Sequence, residues 1–172
     1  MPRPPRPSRP STLSSLEKSA LFRLQRASLS EKQLRDGLKR KLMRTQQARE
    51  PEALGWIDVV VDKMKRLGFV DDERTATARA RSLRSTGTSA RGAIMKLRQK
   101  GLAPEIAAKA VAEVDERQNE GRDDGGTAEL DAAREYARRR RLASKDPQKA
   151  LATLARRGFS YAIAKQALAP IS

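Results

Sequence analysis

Lysine and arginine supply the one kind of side-chain chemistry that recurs along this 172-residue chain, 37 of them against 21 acidic residues, for a net charge of +16. Lys39, Arg40 and Lys41 stand side by side. Arg81, Arg84, Arg91, Lys96 and Arg98 fall in a window from Arg74 to Pro104 that contains no acid. Arg139 and Arg140 lie inside the run Arg138 to Arg141, and Arg156 and Arg157 follow near the end. Such groups make and break no bonds. Their chemistry is the charge-assisted hydrogen bond, which a guanidinium can offer to a phosphate or a carboxylate through two parallel N–H donors. These twelve residues are therefore candidate contacts to a polyanionic partner, either nucleic-acid phosphates or an acidic groove on a protein.

Other chemistries are excluded by residue type. With no cysteine and no histidine, the chain has no disulfides, thiolate nucleophiles, Cys/His zinc sites or histidine bases. It has neither a GxxxxGK[ST] phosphate loop nor a GxGxxG turn. The carboxylate pairs Asp71-Asp72 and Asp123-Asp124 fall at a helix start and in a loop, away from any nucleophile. No catalytic, cofactor-binding or metal-binding residue is expected, and the chain reads as a non-enzyme. Trp56, Phe69, Tyr136, Phe159 and Tyr161 sit at helix-core or turn positions, where packing explains them better than base stacking. No stretch reaches the ~20 apolar residues of a membrane span. The Pro/Arg-rich start lacks the apolar region of a secretory signal. A monomer in the cytoplasm is expected, with no membrane partner.

The elements that must hold these cations read as helices throughout. Five prolines in residues 1 to 12 block helix there and predict a disordered basic arm. A first helix is predicted over Ser14 to Ala27 and a second after Ser30, where Ser30 and Gln33 form a capping box ahead of Leu34, Leu38 and Leu42. Pro51 opens a third helix, which presents Trp56, Val60, Val61, Met64 and Leu67 before Gly68. The fourth starts at Asp71-Asp72-Glu73 and ends at Gly87. The fifth is capped by Thr88 or Ser89 and stops at Gly101, and Pro104 opens the sixth. After a Gly/Asp-rich loop, the seventh covers about Thr127 to Leu142. Asp146-Pro147 starts the eighth, and Ser160 caps the ninth.

Grouped in threes, these helices form an internal repeat. A shift of 57 positions lays Ile94, Leu97, Gly101, Leu102, Ile106, Ala107, Ala110 and Val111 on Leu151, Leu154, Gly158, Phe159, Ile163, Ala164, Ala167 and Leu168. The first unit fits more loosely, with Leu38 in the place of Leu97. The predicted fold class is all-α: three tandem three-helix repeats over 13–69, 70–118 and 127–172, separated by a loop at 119–126 and preceded by the arm at 1–12. A three-helix unit of this size buries too little surface to be secure alone. Stacking would make up the deficit and give an elongated, curved body. Charge is sorted along the repeat. The first and second helices of each unit are basic, whereas the third helices of the first two units carry Asp58, Asp62, Glu105, Glu113, Asp115 and Glu116.

An ordered set of motifs resembles the RecX family of recombination regulators. Leu67-Gly-Phe-Val-Asp-Asp-Glu-Arg is similar to that family's LG[FLY][LIV][DN]D.R signature, and Leu97-Arg-Gln-Lys-Gly-Leu to its L..KG[IL] element. Ser30-Glu-Lys-Gln-Leu with Leu38-Lys-Arg-Lys-Leu resembles S..EL..KL, and Leu154-Ala-Arg-Arg-Gly-Phe-Ser resembles L.RRGF[SD]. The likeness spans about residues 16 to 169. Thr75 departs from it, standing where the family usually has an aromatic residue. The resemblance implies three tandem three-helix repeats, no catalytic residue, and binding to the RecA recombinase filament on single- or double-stranded DNA, within the filament's groove. It further implies inhibition of recombinase activities, and so negative regulation of homologous recombination, DNA repair and the SOS response. The residues by themselves leave a second reading open: a sequence-nonspecific DNA-binding protein built from helix-turn-helix-like modules.

Overall fold

Side-chain caps or first-turn prolines mark where the helices begin. The structure, a computed structural model, describes residues 10–45, 47, 50–122 and 126–169. Most of the Pro/Arg arm, Arg49 and the Asp123-Asp124 pair lie outside these. Among the described residues there are nine α-helices and no strand: α1 (Leu13–Arg26), α2 (Glu31–Arg44), α3 (Pro51–Arg66), α4 (Asp72–Ser85), α5 (Ala90–Gln99), α6 (Pro104–Asn119), α7 (Ala128–Arg139), α8 (Pro147–Arg156) and α9 (Tyr161–Leu168). Ser30 and Gln33 form the expected capping box on α2. Thr12 and Ser15 form a second on α1, which therefore starts one residue earlier than predicted. Asp71 accepts from the Arg74 amide at 2.9 Å and caps α4. Its neighbour Asp72 reaches across to the Glu31 amide at 2.8 Å, serving the first turn of α2 as well.

The chain divides into two compact units that meet between Thr75 and Ala76. The first contains α1 to α3, with α3 packed on both α1 and α2 around Leu16, Ala20, Leu34, Leu38, Leu42, Ile57, Val60, Val61 and Met64. Two expectations fail here. Leu67, expected on the core face of the third helix, is 58% exposed, and Phe69 beside it is 53% exposed. Leu67 is the residue that ends α3, and the turn after it sends Val70 inward instead. Trp56 lies at the rim of this core, and Ile57 takes the interior position. On the surface of the unit, Glu31 accepts from Arg35 and Lys65. Hydrogen bonds from these two cations, Lys65 first, hold its carboxyl below the usual carboxylate range.

The second unit contains two cores at the positions the repeat predicts. Leu97, Leu102 and Ala107 are buried in one, and Leu154, Phe159 and Ala164 in the other. Both second helices close in the same way. Leu102 N–H donates to the Leu97 carbonyl and Gly101 N–H to that of Arg98, as Phe159 and Gly158 do to Leu154 and Ala155. Ala76 and Ala80 of α4 are fully buried and Thr75 nearly so. The position where the family usually has an aromatic is thus a small interior one. The seventh helix is shorter than predicted: it ends at Arg139 rather than Leu142, and a 3₁₀ turn covers Leu142–Ser144. Ala133 and Ala137 define its buried face. A continued helix would carry Leu142, five residues beyond Ala137, off that face. The chain instead turns at Arg141, which adopts a left-handed φ of 50°, and Leu142 enters the core.

A buried cation joins the second and third repeats. Arg84, whose side chain is 0% exposed, donates from Nε and Nη2 to the two oxygens of Asp115 at 2.7 and 3.0 Å, tying α4 to α6. Its Nη1 meets Glu129 of α7 at 2.7 Å and the Thr88 carbonyl at 2.7 Å. Glu129 also accepts from the Ala90 amide at 3.0 Å, in the first turn of α5. Beside this cluster the turn after α4 lies directly on the α7 backbone. A Cβ on Gly87 would fall 2.6 Å from the Tyr136 nitrogen, and φ there is +81°. Only glycine fits that approach.

Arg84→Met strands two part-buried carboxylates and is expected to reduce unfolding stability by about 3 kcal/mol. Gly87→Ala combines a left-handed φ with a backbone clash and is expected to cost at least about 2 kcal/mol. Denaturant titration measures both, and a change within about 0.5 kcal/mol of the parent protein would contradict the account of the junction.

Candidate polyanion-binding site

Two close approaches in the second unit bring distant basic residues together. The first is Gly87 against Tyr136. The second is Ser89, whose hydroxyl caps α5 by accepting from the Gly92 amide at 3.1 Å. That hydroxyl donates at 2.6 Å to the Arg157 carbonyl. Ser89 thereby fixes the end of α8 against the start of α5. Gly158 permits this contact, since a Cβ there would fall 2.9 Å from the Ser89 oxygen.

Between these anchors lies a depression of about 450 Å³, whose lining includes Thr86, Thr88, Met95, Tyr136 and five cations: Lys96, Arg139, Arg140, Arg156 and Arg157. No acidic side chain belongs to that lining. Arg139 is neutralised from outside by Glu135, 3.0 Å from its Nε. It also donates to the Thr86 carbonyl at 3.5 Å. The other four have no carboxylate partner among the described residues. Lys96 Nζ lies 3.3 Å from the Thr88 hydroxyl, and Arg156 Nε donates to the Ala152 carbonyl at 3.3 Å. Arg157 Nε donates to the Tyr136 hydroxyl at 2.9 Å, with its guanidinium 5.5 Å from the ring centre. Arg140 lies 6.0 Å from the same centre. A tyrosine ring attracts cations over its face. Tyr136 therefore holds two guanidinium groups in place while their terminal nitrogens remain available.

Of the twelve residues singled out in the sequence, five line this depression. Arg81, Arg91 and Arg98 are exposed in the same unit but outside the lining. Lys39, Arg40 and Lys41 belong to α2 in the first unit. Lys39 and Arg40 are exposed, whereas Lys41 is partly buried and donates to the Ser15 carbonyl at 2.6 Å. Its ammonium pKa is lowered, by burial first and by the Arg23 charge second. Arg84 must be withdrawn as a surface contact. It is enclosed by Asp115, Glu129 and the Thr88 carbonyl, and an arginine buried with its charges satisfied is unavailable to a partner. Tyr136 is expected from the sequence to pack. It does pack, with its ring 6.5 Å from that of Phe159, but it also positions Arg157, and no local motif links residues so far apart in sequence.

Comparison with known proteins follows the same pattern. The family model described as the RecX second three-helix domain matches residues 71–111. The chain is 36% identical over 165 residues to the regulatory protein RecX of Myxococcus xanthus, covering 89% of this chain and 83% of that protein. It is 33% identical over 168 residues to the regulatory protein RecX of Agrobacterium fabrum, covering 91% and 83%. The crystal structure of RecX from Lactobacillus salivarius shares the fold, with a TM-score of 0.66 at 18% identity, over 91% of this chain and 94% of that one. The three-helix repeats, the ordered motifs and these relatives converge: the chain belongs to the RecX family of regulatory proteins.

Proposed function

We propose that this protein is a negative regulator of homologous recombination and DNA repair. It binds RecA–DNA filaments in their groove and inhibits the recombinase, acting as a cytoplasmic monomer and doing no chemistry of its own. The observation that carries this reading is the set of four cations around one depression, Lys96, Arg140, Arg156 and Arg157, without a carboxylate among them. Arg139, the fifth cation of the lining, pairs with Glu135, and elsewhere in the second unit Arg84, Arg122 and Arg138 each have an acidic partner. Clustered like charges repel one another and favour a bound polyanion. A filament supplies both DNA phosphates and acidic side chains. Exposed pairs contribute only ~0–1 kcal/mol each, so binding relies on many of them, with Arg81, Arg91, Arg98, Lys39 and Arg40 adding to the total. The second reading, a DNA-binding protein indifferent to recombinase, draws on the same cations, and affinity for bare DNA that added recombinase leaves unchanged favours it.

Arg140→Glu combined with Arg156→Glu is expected to raise the concentration needed for half-inhibition of recombinase ATPase at least about ten-fold. Circular dichroism would check that the double variant stays folded. Inhibition by the parent protein should weaken steeply with added salt. Undiminished inhibition by the double variant would remove this face from the mechanism.

A further inference from the structure

We propose that the depression between the second and third repeats is a seat for one phosphodiester group of a single nucleic-acid strand, clamped by Arg140 and Arg157 on the Tyr136 platform. This deepens the filament reading by assigning which component of the filament the depression takes.

Three observations favour a phosphodiester over a carboxylate-bearing peptide. Arg157 is fixed at both ends, its carbonyl held by the Ser89 hydroxyl at 2.6 Å and its Nε by the Tyr136 hydroxyl at 2.9 Å. Its two terminal nitrogens are left as a pre-aligned pair of donors, and ordering them in advance reduces the entropy lost on binding. Secondly, the donors come from several directions. Lys96 stands on α5 next to Thr88, Arg140 at the end of α7, and Arg156 and Arg157 at the end of α8. A tetrahedral phosphate offers acceptor oxygens to such an arrangement, whereas a carboxylate presents its two in one plane. Thirdly, the wall is not purely polar. Met95, 56% exposed, and the Tyr136 ring both face the depression. They provide apolar surface for the sugar and base that accompany a backbone phosphate, which a free phosphate ion would leave uncovered. A strand threading the site keeps its neighbouring phosphates in solvent. A duplex keeps its bases stacked inside, so an apolar wall that can take a base favours a single strand.

The test uses the full chain and no recombinase. The probe is a fluorescein-labelled twenty-nucleotide oligothymidylate, followed by fluorescence anisotropy across a potassium chloride series. Arg140→Gln with Arg157→Gln is expected to weaken binding about ten-fold and to reduce the slope of log affinity against log salt by about 0.7, the loss of one single-strand phosphate contact. Lys18→Gln with Arg117→Gln removes the same charge from exposed positions outside the depression and should change affinity less than two-fold. Arg157→Lys guards against a misfolded double variant. It keeps the charge but loses the planar fork, so binding should fall a few-fold with the slope unchanged. Equal losses in the charge-matched control would overturn the proposal, as would full binding by Arg157→Lys. It is also overturned if the double variant keeps the oligonucleotide and loses a fluorescein-labelled hexaglutamate, which would assign the seat to an acidic peptide. Displacement of the oligonucleotide by inorganic phosphate at equal phosphate concentration and matched ionic strength would assign it to the free ion. Because recombinase is absent, these results bear on the phosphate seat alone, while ATPase inhibition bears separately on the filament reading.

Discussion

The second unit is organised around a guanidinium that has lost all contact with water. Arg84 satisfies its charge on Asp115 and Glu129 and spends its remaining reach on the Thr88 carbonyl. A buried cation is tolerated only with such a complete set of partners. The partners come from α6, α7 and the turn before α5, so the cation on α4 fixes the junction of two repeats that each bury little surface of their own. The close approach of Gly87 to Tyr136 and the bond from Ser89 to Arg157 lie beside it. Misplacing Arg84 would loosen both contacts, and with them the depression they frame.

Part of the charge excess then becomes intelligible as two populations. One is internal bookkeeping within the fold: Arg84 in the interior, and Arg35, Lys63, Lys65, Arg122, Arg138 and Arg139 paired with acids at or near the surface. The other is held without acids around one concavity, fixed by backbone and aromatic contacts rather than by counter-charge. Cations without an acidic partner keep their electrostatic potential for a bound polyanion, and the concavity gathers four of them in one place. Selective binding to one state of a partner is sufficient to shift that partner's behaviour, so a surface of this kind suits a regulatory protein.

Much of this was legible in the sequence because helices announce themselves locally. The Ser30–Gln33 capping box, the prolines at 51, 104 and 147 and the glycines at 101 and 158 set boundaries that the structure reproduces. The spacing of Leu97, Leu102 and Ala107 against Leu154, Phe159 and Ala164 revealed two equivalent cores. What escaped was non-local. Arg84 carries no mark distinguishing it from Arg81, because its burial depends on Asp115 and Glu129, 31 and 45 positions away. Tyr136 meets Arg157, 21 positions away, through the packing of α7 on α8 and the bond from the Ser89 hydroxyl to the end of α8. Arg141 in a left-handed turn was unreadable for a related reason: the need to bury Leu142 overrode the local preference to continue the helix.

The central claim is that the acid-free concavity between the second and third repeats is the face that engages the filament. Electron cryo-microscopy of the full chain bound to recombinase filaments on single-stranded DNA tests it most directly. The account predicts that the concavity faces the filament groove, with the guanidinium groups of Arg140 and Arg157 within about 3 Å of an anionic oxygen. A complex in which this concavity opens to bulk solvent, while the chain contacts the filament through other surfaces, would contradict it.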